Sequence, residues 1–491
     1  MELKHNKRPN LVLIMCDQMR GDCLGADGHP DVKTPYLDTI AAEGTLFENA
    51  YTACPSCVPA RAALLTGMSQ CLHGRVGYED GGNWDYPNML PAVLSQNGYH
   101  TEAIGKMHVH PPLKRCGFNN LALHDGYIGY YRNPNNPWLE HQLAHDSYLH
   151  FLKSRCGNDA DVGDTGIECN AWVARPWIYD EMSHPTNWAV TKSLDFLNLR
   201  DRSVPFFLKL SFVRPHPPWD APAPFFDMYE NKELRPPAMG DWAEQRESRI
   251  FNSQFGSSDE ELRRQGLVGY YACITHMDHQ IGRLLKFLDQ EGVLEDTLII
   301  FTSDHGEMLF DHGLFRKINP YQGSVRIPLL IRAGKNISGS GKQVPVSRGI
   351  AELRDIAPTL LDCAGISIPE TMDGISLMPH ISGKEKTREY LHGEHSAAGF
   401  SESGEDFSNH YIVTENEKYI WFSQSGREQY FDLANDPREE HDAIKTADSN
   451  RVQRLRAMLI RELTDREEGY TDGVQLIPGR KPVTTLSANR F

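Results

Sequence analysis

The chain is predicted to fold as an α/β protein: a large, mostly parallel sheet flanked by helices, with a small α+β unit at its C-terminal end. Three observations predict it. Short apolar runs of buried-strand type alternate with helix-period segments up to about Leu377. Several of those runs end in charged or nucleophilic residues, as strands do when their carboxyl ends share one functional edge. After Leu377 the pattern changes to alternating short strands followed by one amphipathic helix.

The elements follow in order. Leu11 to Met15 is a continuous apolar run, the signature of a strand buried on both faces. Thr34-Pro35 opens a helix with Leu37, Ile40 and Ala41 on one face and Gly44 as its stop. Pro59 suits a first helical turn, Ala60 to Leu65 are good helix formers, and Gly67 closes that helix, so Cys57 lies at or just before a helix N-terminus. Strands are expected at Tyr99 to Ile104, Phe206 to Phe212, Leu298 to Phe301 and Pro328 to Ile331. Ser258-Asp259-Glu260-Glu261 reads as a capping box opening a long helix, which carries Ile274, Met277, Ile281, Leu284, Leu285 and Leu288 and ends near Gly292. Asn119 to Asn187 is read mainly as loop. Ile412 to Phe422 is a hairpin candidate about Asn416, Gln429 to Leu433 is one more strand, and Asn450 to Thr464 an amphipathic helix. The expected organisation is a catalytic domain over 1–377, a small α+β domain over 378–471 and an extended tail over 472–491.

Composition narrows the function. With 491 residues the chain can bury at least one large core, and its formal net charge of −16 argues against a nucleic-acid surface. An acidic protein that handles an anion must gather its cations locally. Ten cysteines over this length do not form a disulfide framework, and no apolar run is long enough to span a membrane. The polar N-terminus, Met1 to Asn10, carries no signal-peptide pattern, which gives a cytoplasmic expectation for the chain as it stands, or a periplasmic or secreted one if a leader has been trimmed.

The candidate chemistry collects after the strands: Asp17-Gln18, Lys106 and His108, His216 and Asp304-His305, with Lys317 further on. Singly, each has an ordinary structural reading as a turn former, loop histidine or solvated lysine. Together, Asp17, Gln18, Asp304 and His305 are an oxygen-rich set with one imidazole, suited to a divalent cation such as Ca²⁺, Mg²⁺ or Mn²⁺. Arg61, Lys106, His108, His216 and Lys317 suit the binding of a tetrahedral oxyanion. Cys54 and Cys57 also form a C-x-x-C pair, which leaves a redox or zinc reading open, although no second ligand pair stands at close spacing.

The run Cys57-Val58-Pro59-Ala60-Arg61 followed by Leu65-Thr66-Gly67 resembles the signature of type I sulfatases, members of the alkaline-phosphatase-like superfamily. The resemblance extends to Pro9-Asn10 with the strand to Asp17, Gly105-Lys106-x-His108, Pro215-His216-x-Pro218, Ser303-Asp304-His305-Gly306-Glu307 and Lys317-x-x-Pro320-Tyr321-x-Gly323-x-x-Arg326-x-Pro328. Tyr430-x-Asp432-Leu433-x-x-Asp436-Pro437 is similar to that family's small domain. The resemblance implies sulfate-ester hydrolysis through a formylglycine made from Cys57 by a formylglycine-generating enzyme, with a covalent sulfo-enzyme on the way. It implies one divalent cation on Asp17, Gln18, residue 57, Asp304 and His305. Arg61, Lys106 and Lys317 would face the sulfuryl oxygens, His216 or Lys317 would be the general acid, and His108 would take a proton from the nucleophile's second hydroxyl. Asp17-Gln18 and Asp304-His305 depart from the commoner Asp-Asp and Asp-Asn pairs and resemble choline sulfatases and phosphonate monoester hydrolases, which makes a phosphonate monoester or phosphodiester the alternative substrate and Mn²⁺ an alternative ion. A silent, glycan-binding relative is the reading from a different class. The expected substrate is an aryl or saccharide sulfate, with Glu79 to Trp84 and the aromatic stretch Asn133 to Trp188 as its expected wall.

Overall fold

The computed structural model describes residues 8–126, 145–244, 253–337, 343–384, 388–398 and 406–487. The first seven residues of the polar N-terminus, residues 133–144 of the expected aromatic wall and the last four of the tail lie outside the described residues.

The strands are β1 (Asn10–Asp17), β2 (Thr45–Phe47), β3 (Ala50–Tyr51), β4 (His100–Gly105), β5 (Asn120–Leu123), β6 (Phe206–Pro215), β7 (Thr297–Ser303), β8 (Leu329–Ala333), β9 (Val346–Ser347), β10 (Ala351–Glu352), β11 (Leu391–His395), β12 (Asn409–Val413), β13 (Glu417–Phe422) and β14 (Glu428–Asp432). The principal helices are α1 (Pro35–Glu43), α2 (Cys57–Thr66), α3 (Ser147–Cys156), α4 (Pro185–Leu199), α5 (Glu260–Gln290), α6 (Ile356–Cys363) and α7 (Ser449–Leu463). The main sheet has eight strands in the order β5-β4-β6-β1-β7-β8-β2-β9. From β5 through β7 every pairing is parallel, whereas β8 runs antiparallel to both β7 and β2.

The apolar runs of β1, β6 and β7 are buried along their whole length because helices cover both faces of the sheet. Alternate side chains divide between two cores, as the two-residue period of a strand requires. Val12, Ile14, Leu208, Leu210, Ile299 and Phe301 meet the apolar stripe of α5, including Ile274, Met277, Ile281, Leu284 and Leu288. Leu11, Leu13, Met15, Phe207, Leu298 and Ile300 meet Leu64 and Leu65 of α2 and Leu360 and Leu361 of α6. The helix that carries Cys57 is thereby clamped against the strand that ends in Asp17.

The second sheet, β11-β12-β13-β14, is antiparallel. Tyr411, Val413, Ile420, Phe422 and Phe431 face the main body, against Tyr51, Met308, Tyr321 and Val325. Ile412, Tyr419, Trp421 and Tyr430 are covered by Val452, Leu455, Leu459 and Leu463 of α7. The last described residues fold back: Val76 N and Gly77 N donate to Thr484 O, and Leu486 N donates to Gly74 O.

Three expectations change. Asn119 to Asn187 holds β5, α3 and the start of α4, with α3 begun by the side chain of Asp146, which accepts from Tyr148 N and Leu149 N. The long helix is capped by Asp259 rather than Ser258, its carboxylate accepting from Glu261 N and Leu262 N. α1 is capped from a distance: Thr34 makes no cap bond, and Asp278 of α5 accepts from Leu37 N at 2.7 Å and Tyr36 N at 3.2 Å.

Burial outweighs those two N–H donors and raises the Asp278 carboxyl to about 7. Between pH 4 and 7 the native state therefore keeps a proton that the unfolded chain gives up, so stability falls as pH rises through that window. Asp278→Asn should flatten the fall, by up to about 4 kcal/mol between pH 4 and pH 8. Parallel stability–pH curves for the two proteins would contradict this.

Candidate active site

Four adjacent parallel strands, in the order β4-β6-β1-β7, end in the residues singled out from the sequence. β1 closes with Asp17, β4 leads into Lys106, β6 into His216 and β7 into Asp304-His305. Gly105 permits the turn into Lys106: its φ is +89°, and a Cβ there would lie 1.9 Å from Ser211 O. α2 supplies the other half. Ser56 is extended, Cys57 is the first helical residue, and Gly67, at φ +67°, stops the helix with its N–H on Ala63 O.

Arg61, one turn into α2, joins the two halves. It is fully buried, with Nε 3.1 Å from Asp304 Oδ2, Nη2 3.2 Å from Asp17 Oδ2, and Nη1 donating to Lys106 O at 3.0 Å and Ser211 Oγ at 3.2 Å. Lys106 Nζ is 2.5 Å from Asp17 Oδ2. Burial alone would raise the Asp17 carboxyl, but Lys106, His216, Arg61 and His305 hold it well below the usual range. The Arg61 and Lys106 cations are stabilised in return: burial opposes their charge, and the facing carboxylates raise both. Asp304 Oδ1 accepts from Gln18 N and from His305 N, both at 3.0 Å.

Cys57 Sγ lies 3.2 Å from His305 Nε2, 3.9 Å from Asp17 Oδ1 and 3.6 Å from Lys317 Nζ. His305 Nδ1 is 2.9 Å from Gly306 O. A carbonyl can only accept, so Nδ1 carries the proton and Nε2 turns a lone pair towards residue 57. Burial first, with Lys317 adding to it, lowers the His305 pKa and keeps the ring neutral. Lys317 stands between Arg316 at φ +70° and Ile318 at φ +72°, and its Nζ donates to Gln18 Oε1 at 2.8 Å.

A cavity of about 320 Å³ opens above these residues. Ser56, Cys57, Lys106, His108, His216 and Lys317 bring its polar chemistry, and Tyr78, Val213, Pro217 and Ile318 contribute apolar wall. His216 Nδ1 is 2.8 Å from Pro217 O, and burial with nearby Lys317 holds its pKa well below the ordinary value. His108 Nε2 is 3.1 Å from Asp80 Oδ1, while its buried Nδ1 has no hydrogen-bond partner among the described residues.

All the residues expected at the site converge, but two do something other than expected. Arg61 lies below the cavity and directs its donors to protein groups, because two buried carboxylates at adjacent strand ends need the guanidinium more than a solvated oxyanion does. Gln18, at φ +70°, gives its carbonyl oxygen to Lys317 and its amide N–H to Glu307. Sequence reasoning did not single out Asp125, took Asp80 only as part of the expected wall Glu79 to Trp84, and gave Glu307 no role beyond its place in the matching motif. Asp125 follows β5 by two residues, the same signal that marked Asp17, and its Oδ1 accepts from Met107 N at 2.8 Å and His108 N at 2.9 Å. Glu307 Oε1 accepts from Leu309 N at 2.9 Å and also from Arg316 N, steering the approach to Lys317. Trp84, Trp172, Trp177 and Trp188 are buried in the cores, so the described part of the expected wall that lines the cavity comes down to Asp80, Cys169 and Asn170.

Ligand-type atoms of Asp17, Cys57, Asp304 and His305 all lie within 4.8 Å of one another. Two carboxylates and a neutral imidazole lone pair are a donor set that a hard divalent cation fits. Among the described residues Cys54 is not part of it, and all ten cysteines are unlinked. A second buried set, His392, Glu394 and His410, is electrostatically satisfied, because Arg466 grips both Glu394 oxygens at 2.9 Å. Replacing Arg61 by Met would leave Asp304 without its guanidinium and Asp17 with Lys106 alone. The expected loss is about 3–5 kcal/mol, read as a lower urea midpoint at unchanged m; a midpoint at the wild-type value would show that Arg61 is not what holds them.

Comparison with known proteins agrees with this geometry. The family model "Sulfatase" matches residues 9–366, and "N-sulphoglucosamine sulphohydrolase, C-terminal" matches residues 310–468. The chain is 50% identical over 485 residues to an arylsulfatase of Clostridium perfringens, covering 98% of this chain and 99% of that one. It is 32% identical to a choline-sulfatase of Rhizobium meliloti, over 88% of this chain and 81% of the other. The crystal structure of a phosphonate monoester hydrolase of Agrobacterium radiobacter superposes with a TM-score of 0.75 at 26% identity, covering 93% and 95% of the two chains. With four strand ends, one helix start and a matching model over most of its length, the chain belongs to the sulfatase family.

Proposed function

We propose that the chain hydrolyses the sulfate ester of a small aryl or single-ring saccharide alcohol above residue 57. Family membership makes it a sulfuric ester hydrolase. The observation that carries the finer reading is the position of Cys57 Sγ, between His305 Nε2 and Lys317 Nζ on the floor of a cavity of about 320 Å³. That volume suits sulfate and one ring better than a polymer.

Asp17, Asp304 and His305, with the oxidised side chain at position 57, would hold the family's divalent cation, proposed here as Ca²⁺. When present, the cation supplies Lewis acidity at the ester oxyanion and eases loss of a hydroxyl proton, and formylglycine supplies two hydroxyls on one carbon. A formylglycine-generating enzyme is the maturation partner this requires. Elemental analysis of the purified protein separates Ca²⁺ from Mn²⁺ and Mg²⁺.

The chain's own residues do the rest. Lys106 and Lys317 flank residue 57 and balance charge on the sulfuryl oxygens. Arg61 holds Asp17 and Asp304 in register and does not touch the substrate. Asp80 accepts a hydrogen bond from His108 Nε2–H, which leaves Nδ1 as the lone-pair atom that would take a proton. His216 commits its Nδ1 proton to Pro217 O and offers Nε2 as an acceptor that orients the alcohol. Lys317 is then the donor that protonates the departing oxygen.

Matured protein should release sulfate from phenyl sulfate, and Cys57→Ala should not; equal rates would end the proposal. Lys317→Ala should lower kcat/KM about 10²–10⁴-fold for phenyl sulfate and far less for 4-nitrophenyl sulfate, whose leaving group needs no proton. Equal losses on both esters would remove the general-acid role. A phosphonate monoester is the alternative substrate that Gln18 and His305 motivate, and matched kcat/KM values for phenyl sulfate and phenyl phosphonate decide between the two.

A further inference from the structure

The Arg316-Lys317-Ile318 turn is unusual. Two of its three residues have left-handed backbones, and one of those two, Ile318 at φ +72°, is β-branched. Such a conformation persists only where its surroundings over-determine it. Glu307 and Pro55 account for part of the support: Arg316 N donates to Glu307 Oε1, and Ile318 N donates to Pro55 O at 3.1 Å.

Met308 N donates to Arg316 O at 2.8 Å and Asn319 Nδ2 to Lys317 O at 3.2 Å, and further support comes from the second sheet. Asn409 of β12 donates Nδ2 to Ile318 O at 2.9 Å. Lys418 of β13 donates Nζ to Pro320 O at 2.9 Å and to Gln322 Oε1 at 3.2 Å, with its charge matched by Glu439 at 2.7 Å. Gln429 of β14 accepts from Tyr321 OH at 2.7 Å. Three successive strands therefore grip 318–322, the segment immediately after Lys317. Asn409 is 1% exposed, and a second carbonyl, Phe407 O at 2.9 Å, fixes the orientation of its amide.

We propose that Asn409 is a positioning residue for the sulfatase reaction: by holding Ile318 O it sets where Lys317 Nζ stands relative to residue 57. This rests on the reading of Lys317 given above. The small sheet would then contribute to turnover without touching substrate.

The test is a double-mutant cycle on phenyl sulfate, with melting temperature and calorimetric binding of inorganic sulfate to the unmatured Cys57 protein as further readouts. Asn409→Ala should lower kcat/KM about ten- to a hundredfold, as small misplacements of catalytic groups do. It should weaken sulfate binding severalfold, and it should add almost nothing in a Lys317→Ala background. Asn409→Asp, of equal size but without the donor, should behave alike and serves if the alanine variant does not fold. Full additivity with Lys317→Ala, or a lowered melting temperature with unchanged kcat/KM and sulfate affinity, would overturn the proposal. If Lys317→Ala is impaired while both Asn409 variants are not, positioning alone fails. If Lys317→Ala is itself unimpaired, the role of Lys317 falls with it.

Discussion

Two aspartates buried side by side at neighbouring strand ends are unstable unless something answers their charge, and the site is arranged around that constraint. Arg61 reaches both Asp17 and Asp304, and Lys106 meets the same Asp17 oxygen, Oδ2, that Arg61 does, which leaves Oδ1 facing Cys57. A guanidinium can do this because its donors diverge in one plane, whereas an ammonium would satisfy one carboxylate and abandon the other. Since Arg61 belongs to the helix that begins with Cys57, the contact that neutralises the carboxylates also fixes the distance from the sheet edge to residue 57. The protein as a whole carries a formal charge of −16. Against that background Arg61 and Lys106 are held at this edge by Asp17 and Asp304, each within ion-pair reach.

The same economy governs the imidazoles. His305 and His216 each turn Nδ1 to the carbonyl of the following or own-turn residue, Gly306 O and Pro217 O, and His108 turns Nε2 to Asp80. In each ring one nitrogen is committed to a group that can only accept, so the other is left as the lone pair. The protonation pattern is thus written largely into short backbone turns just past the strands, with little dependence on distant partners.

Much of this was legible in the sequence because parallel strands buried on both faces leave an unmistakable apolar run, and their far ends share an edge by topology alone. That rule brought Asp17, Lys106, His216 and Asp304-His305 together before any coordinates. What it could not supply was direction. Arg61 was expected to face an anion, yet side-chain reach says nothing about which of two competing negative groups is nearer. Gln18 was expected to offer its oxygen to a cation, but Lys317, distant in sequence, takes it. The tryptophans illustrate a further limit: an aromatic-rich insertion reads equally as a wall or as packing, and only tertiary contacts make Trp172, Trp177 and Trp188 core. Asp278 capping α1 from another helix has no local signature at all.

The grip of β12, β13 and β14 on 318–322 also bears on how molecules come and go. If the small sheet swung away as a hinged lid, it would pull Ile318 O, Pro320 O and Tyr321 with it and uncouple Lys317 from residue 57 on every cycle. Traffic past Tyr78 and Pro217, which line the cavity, would leave all three attachments intact. On the proposed role of Lys317, these attachments suit a fixed vessel better than a clamshell, and turnover should then be insensitive to cross-links that tie the two sheets together.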